Sequence, residues 1–549
     1  MAFGILNDTK TEHVPGTALL ETVEAIGDEF RGIDQNALKR EPETGIVLVP
    51  QPSNDPEDPF NWSKWKKTRF MIAYAYGCGC VGAVGPLLAP AFVQLSEEFN
   101  VTLTLWNIGV QGTLIAMIAV GSLICNTLAV KYGKRPIYLS TTLMLAVTSF
   151  WAAEAKSLGS LMAARIVQGF CMAPFEALVP ASIADVWFVH QRGYYSAIFN
   201  LGVLGGINLA SPISGQIIQY SGFRTAFRAM GGAFVISLIL VIFWMPETAF
   251  HRSNMTLSAV TVGEGSTNGE KSGQTEHAEA PVEADSGRSS TQSKSKSSAW
   301  KQYRPYSGYV SDVPLLTTLF RPFVMLLSPA VLWATLSFTT GISWLVGISI
   351  TMSQIFSAPP YNFSVGAVGA SNLSSFVASV IGMAVARPLI DWTVRLLSRR
   401  NKGVFEPEFR LPIMATYLVF TAVGFFAWGQ AAAVKAPWPV PIIVCLGLIN
   451  LGIQLSITGL TTYVVDCHRE RAGEAFAAMN FVKNLFAFGL SFYLSDWIAS
   501  DGTRNVFFAI GGITAACALS AIPMYIFGKK ARGWVHRSGI IGRGEIEVM

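Results

Sequence analysis

The chain has 549 residues, of which 51% are hydrophobic and 14% charged, and its mean hydropathy is +0.41. Soluble globular chains carry about 25% charged residues, so the composition excludes a soluble domain and requires a polytopic membrane protein. The net charge of +5 is too small for a nucleic-acid patch and reads as lysine and arginine on loops.

In chain order, residues 1–67 are polar and end in PQPSNDPEDPFNWSKWKK. No basic start leads into a short apolar core, so this is a cytosolic N-terminal tail and not a signal peptide. Apolar spans follow near 69–92, 106–130, 136–154, 158–182, 194–218 and 226–246. They make a first six-helix bundle over 68–248. Residues 249–320 are rich in Ser, Thr, Gly, Glu and Lys and cannot bury enough apolar area to fold alone. They read as a disordered cytosolic linker. Spans near 324–350, 363–386, 411–431, 440–465, 473–496 and 504–527 make a second bundle over 321–528. The run 324–357 is long for one helix, so its outer end is expected to leave the membrane. Residues 529–549 read as a polar cytosolic tail.

Orientation follows from the basic residues. With the N-terminus inside, the inner segments hold Lys131, Lys134, Arg135, Arg192, Arg387, Arg395, Arg399, Arg400, Arg471 and others. The outer segments hold only Lys156, Arg224, Arg228, Lys435 and Arg504. Both tails are therefore expected in the cytosol. The fold expected is an all-α integral membrane protein of twelve transmembrane helices in two pseudo-symmetric six-helix bundles. A repeat supports duplication. Asp185, His190, Arg192 and Gly193 after the fourth span match Asp466, His468, Arg471 and Gly473 after the tenth. Seven residues past each Gly stands Asn200 or Asn480. Such halves place a binding site between them, near the midplane.

The fourth span is the most informative stretch. LMAARIVQGFCMAPFEALVPASIAD carries Arg165 and Glu176 inside apolar sequence. A charge at the centre of a membrane helix costs about 2.5–3.5 kcal/mol on insertion scales and marks function by default. Eleven residues bring both back to nearly one face, about 16 Å apart, with Gln168 on the same stripe. That distance forbids a direct bond on one helix. Desolvation favours the neutral form of Glu176, so it can take up and release a proton. It can equally neutralise a cationic substrate, or snorkel to the inner rim. In the eleventh span Lys483 has no acid beside it in sequence and needs a partner or a watery cavity. The region around Lys483 is the expected counterpart of Glu176. Asn450, Gln454, Asn480 and Asn484 supply polar neighbours on spans ten and eleven, as cavity lining or as glue between helices. Gln168, Asn200 and Asn208 are expected at the substrate site with them. Trp344 and Tyr463 can stack on a substrate ring or simply pack.

Several motifs resemble one family. NTLAVKYGKRPIYL is similar to the loop 2–3 signature of the major facilitator superfamily, through Leu128, Ala129, Lys131, Gly133, Lys134 and Arg135. Asn126 and Val130 depart from the signature. In the second half RPLIDW keeps the acid, as Asp391. The resemblance implies a cytosolic charge latch, with Arg135 pairing with Asp185, and Asp391 working with Asp466 and nearby arginines. LMAARIVQG resembles the family's fourth-helix motif at all defining positions and implies that Arg165 takes part in proton coupling. The reading beside it is that Arg165 ties helices together through carbonyls. SPISG at 211–215 partly resembles the fifth-helix antiporter motif, and MPET closes span six as in the family. EDPFNWSKWKK, FVHQRG and NKGVFEPEFRL resemble the fungal drug:proton antiporter branch.

The resemblance implies alternating access driven by a proton gradient, with no other cofactor, no metal and no enzyme chemistry. No Walker loop and no HExxH stands in the sequence. The function expected is export of small organic molecules, drug-like compounds or secondary metabolites. Uptake of an organic cation or polyamine is the rival, and a transporter-like nutrient sensor the rival of another class. The expected partners are the bilayer, protons and a small organic substrate, with a monomer in the plasma membrane or the vacuolar membrane.

Overall fold

The structure, a computed structural model, describes residues 57–250, 314–401, 404–468 and 471–539, with residues 4–6, 14, 16–19, 39, 48, 52, 53, 55, 304 and 308. The linker read at 249–320 lies largely outside the described residues, as does most of the 1–67 tail.

Ten helices among the described residues are long and apolar enough to cross a membrane. Two of these are too long for one crossing, since a bilayer core needs about 20 residues. Both break at a glycine. Gly222 has φ 78 and ψ 163, and Gly502 has φ 78 and ψ 152. Positive φ costs glycine little and other residues much, so each is a tight reversal between two helices. The matched position and geometry of the two breaks fit the internal repeat. Twelve spans result.

The helices are α1 (Lys64–Glu98), α2 (Leu103–Tyr132), α3 (Lys134–Ala153) and α4 (Leu158–Val186). The two segments around Gly222 are α5 (residues 189–221) and α6 (residues 223–244). A short helix, α7 (Leu315–Met325), precedes α8 (Pro329–Ser357). Then come α9 (Val365–Arg400), α10 (Pro407–Ala433) and α11 (Val440–Cys467). The segments around Gly502 are α12 (residues 472–501) and α13 (residues 503–538). Strand β1 (Ala18–Leu19) pairs antiparallel with β2 (Val404–Phe405).

Two expectations change. The run 324–357 is not one helix, because a turn at 326–328 at its inner end separates α7 from α8; α8 itself still holds 29 residues. The polar tail from 529 continues α13 as helix to Ser538 and buries Arg532.

The first half packs around two cores. One holds Phe70, Tyr74, Tyr138, Phe175 and Trp187; the other holds Trp106, Leu161, Phe223 and Phe227. The second half packs around Trp344, Tyr417, Trp428, Tyr463 and Phe507. Val147, Ile236, Phe243, Val377, Ile381 and Ile443 face outward, as lipid-covered surface requires. The end bearing Lys131–Arg135, Arg192 and Arg387–Arg400 is called the basic face below. Across the opposite face the halves are bonded directly. Thr104 Oγ1 donates to Asp496 Oδ1 at 3.0 Å and Asn107 Nδ2 to Ser495 Oγ at 3.1 Å. The Gly366 amide donates to Gln219 Oε1 at 2.8 Å.

Candidate functional site

Glu176 sits where α4 is weakened by its own sequence. Pro180 has no N–H, so the Glu176 carbonyl, four residues earlier, loses its helical donor. Asn480 Nδ2 on α12 reaches that carbonyl at 3.4 Å. The carboxylate itself meets Lys483 Nζ at 2.8 Å and Asn484 Nδ2 at 3.5 Å. Three polar side chains of one half thus converge on one residue of the other. The Lys483 and Glu176 side chains are only 9% and 17% exposed, so neither charge is left to bulk water. Ser343 Oγ on α8 donates to the Lys483 carbonyl at 3.3 Å.

Arg165 lies elsewhere. It is fully buried within the first half. Its Nη1 donates to the Val84 carbonyl at 3.0 Å and to Gln168 Oε1 at 3.3 Å. Gln168 Nε2 continues to Ser149 Oγ at 3.2 Å. The guanidinium lies 5.5 Å from the Phe227 ring centroid. Its Nε and Nη2 have no partner among the described residues. The contacts join α1, α3, α4 and α6, which is the tying role weighed in the sequence. Arg165 and Glu176 share no bond, as their spacing along α4 requires.

The other expected site residues divide. Asn480 is at the Glu176 cluster, and Asn200 is half-buried about three turns into α5. Asn208 and Asn450 work as glue. Asn208 Nδ2 donates across the halves to Ser379 Oγ at 3.0 Å, and within the second half Asn450 Nδ2 donates to Ser375 Oγ at 2.9 Å. Gln454 is buried with its Oε1 unpartnered among the described residues. Tyr463 is wholly buried against Trp333, ring centroids 6.0 Å apart. Trp344 is buried against Phe486. Both rings are occupied by packing and offer no open face to a substrate here. Burial also pushes His468, near Arg532 and Arg471, down to about 4. That direction favours the neutral imidazole near neutral pH.

At the basic face the expected latch is rearranged. Asp185 is bridged by Lys134 at 2.6 Å. Arg135 turns instead to backbone carbonyls at the end of α6, Val241 at 3.2 Å and Ile242 at 2.9 Å, and also bonds that of Met245. Glu247 of MPET returns the contact. Its carboxylate accepts from the Lys134 and Arg135 amides at 3.1 and 3.0 Å, capping the N-terminus of α3 where the helix dipole favours an anion. Gly133 has φ +90, and a Cβ there would lie 2.5 Å from Glu247 Oε2. Lys131 is half-buried at the end of α2. So α3 and α6 cap each other through Arg135 and Glu247. Glu247→Ala is expected to remove the cap at about 0.5–2 kcal/mol and lower the melting temperature by a few degrees in detergent. An unchanged melting curve would contradict it.

In the second half Asp466 pairs with Arg410 at 2.5 Å. Asp391 is not part of that pair. It lies 3.6 Å from Arg387, one turn back on its own helix, and both are exposed or nearly so. An exposed pair of this kind contributes little.

The comparisons fit this architecture. The chain is 25% identical to Protein HOL1 of Saccharomyces cerevisiae over 578 aligned positions, covering 97% of each chain. It is 26% identical to MFS transporter cpaT of Aspergillus oryzae, covering 87% of this chain and 90% of that one. It is 25% identical to Efflux pump vrtL of Penicillium aethiopicum, covering 80% of each. The solved structure of a D-xylose–proton symporter superposes with TM-score 0.58 at 15% identity, over 85% of this chain and 99% of that one. At that identity the likeness speaks for the fold alone. The profile of the Major Facilitator Superfamily matches residues 70–490, and the chain, with twelve spans in two halves, belongs to that superfamily.

Proposed function

We propose that this membrane transporter exports small organic molecules by proton-coupled alternating access, with Glu176 as the proton carrier. The observation that carries the reading is the Lys483–Glu176 bond at 2.8 Å, an ion pair made between the two halves. The basic face is taken as cytosolic from its lysines and arginines, in a cell-surface membrane. Protonation of Glu176 removes the charge that holds Lys483. The seam between α4 and α12 then loses its main attraction, and the halves are free to rock. Deprotonation restores the pair. Arg165, locked to α1 and α6, keeps α4 in place while its lower half carries the titrating group. That some relatives are named as efflux pumps supports export.

A second reading is uptake of an organic cation, which would displace Lys483 from Glu176. Both are tested by reconstituting the protein and imposing a pH gradient, with a panel of lipophilic drug-like compounds and of polyamines. Gradient-driven movement of the former against the proton flow supports export. Movement of polyamines with the protons replaces it by the second reading. Flux that ignores the gradient removes proton coupling from both.

A further inference from the structure

The stretch NKGVFEPEFRL builds a second charged cluster, which shares no residue with the Glu176 site. Glu406, Glu408, Arg532 and Lys529 have side-chain exposures of 0%, 0%, 1% and 14%. Arg532 grips Glu408 with both arms, Nε to Oε1 at 2.9 Å and Nη2 to Oε2 at 2.7 Å. Arg532 Nη2 also reaches Glu406 Oε2 at 3.0 Å, and Lys529 Nζ reaches Glu406 Oε1 at 2.5 Å. Two acids and two bases cancel in charge. Groups so buried still need cover and complete hydrogen bonding, because an ion pair out of water is stable only when its remaining lone pairs are satisfied.

The cover comes from the chain's own N-terminus. Thr17 Oγ1 donates to Glu406 Oε2 at 2.7 Å. Next to it β1 pairs with β2, Ala18 opposite Phe405 and Leu19 opposite Val404. The Leu6 amide donates to the Ile526 carbonyl at 3.0 Å. Ile5 is wholly buried and packs with Phe409. Gly16 has φ +88, and a Cβ there would lie 2.8 Å from the Asp466 carbonyl and 3.1 Å from Arg532 Nη1. One short segment therefore touches the basic-face ends of α10, α11 and α13. Further along the chain, past residues 20–56, Asp58 is buried, and Phe60 stacks on Phe188 of the other half with ring centroids 4.8 Å apart.

We propose that residues 4–6 and 16–19 form the two contact points of a releasable strap, docked on the Glu406–Arg532–Glu408 cluster. The strap locks the basic-face ends of α10, α11 and α13 into one unit and restrains the gate around Asp466. Its release wets the cluster and loosens all three ends together. Thr17 is the release point, since it completes the coordination of Glu406. This device is independent of what is carried and of whether protons drive it.

Hydrogen–deuterium exchange on the full-length protein in nanodiscs tests it. In wild type, peptides covering 14–19, 404–409, 464–468 and 525–532 are expected to be protected. Thr17→Glu puts a second anion against Glu406 and is expected to speed exchange in all four at least tenfold, with 174–186 unchanged. Gly16→Val, strained by its φ and pressed on Asp466, should give the same pattern by a different route. The strap is overturned if 14–19 exchange at the rate of unstructured chain in wild type. It is equally overturned if either substitution frees 14–19 and leaves the three second-half ends as protected as before.

Discussion

In proteoliposomes, Glu176→Gln is expected to move substrate at a rate that no longer responds to an imposed pH gradient, whereas wild type accelerates at least tenfold. Glutamine keeps the size and the acceptor oxygen but cannot exchange a proton in this range. The cost to the fold is separable. Removing one partner of a buried pair costs about 3–5 kcal/mol, mostly from the charge left unpaired, and Lys483 is that charge, its side chain 9% exposed. Glu176→Gln with Lys483→Met removes both charges. The pair of substitutions is expected to recover most of the lost stability and none of the pH response. If Glu176→Gln alone stays fully coupled, Glu176 is not the carrier.

The second large effect is expected at the opposite face. Gly369 on α9 crosses α5 so closely that a Cβ would lie 2.3 Å from the Ser211 carbonyl and 3.1 Å from Gly215 Cα. Neither obstacle is a flexible side chain. Gly369→Leu must therefore force the two halves apart there. Overpacking costs about 1–3 kcal/mol, which shifts a two-state equilibrium about 5- to 150-fold. Closure of this face is read by disulfide trapping between Thr104→Cys and Asp496→Cys, whose native side chains are 3.0 Å apart. Gly369→Leu should reduce the trapped fraction severalfold and slow transport in step. An undiminished yield would mean that the α5–α9 crossing does not control closure. The SPISG stretch then has a physical meaning: Ser211 and Gly215 are small because α9 must lie against them.

The spans, the repeat and the charged fourth helix were readable because each is a local pattern. Hydropathy marks a crossing within about 20 residues, and a membrane charge announces itself by its cost. The Glu176–Lys483 pairing was reachable by elimination, since a buried lysine with no local acid must find one. What sequence could not settle was direction within a turn. Lys134 and Arg135 are neighbours about 100° apart on α3, so they face different partners, and Asp185 takes the first while α6 takes the second. Glu247 gave a weak signal, as an acid in a helix-end motif, and its partner amides lie over a hundred residues away. Tyr463 looked like a cavity aromatic, yet its side of α11 faces the second-half core. The Glu406 cluster was invisible as such, because it assembles residues 17, 406, 408, 529 and 532 from three separate stretches.

The central claim is that the proton on Glu176 controls the seam between the halves. Spin labels at Tyr194→Cys on α5 and Arg395→Cys on α9, both exposed at the basic face, report the separation of the halves when native cysteines are replaced. On acidification, wild type is expected to gain a population at longer distance. Glu176→Gln should show that population at every pH. A pH response that survives intact in Glu176→Gln would contradict the claim.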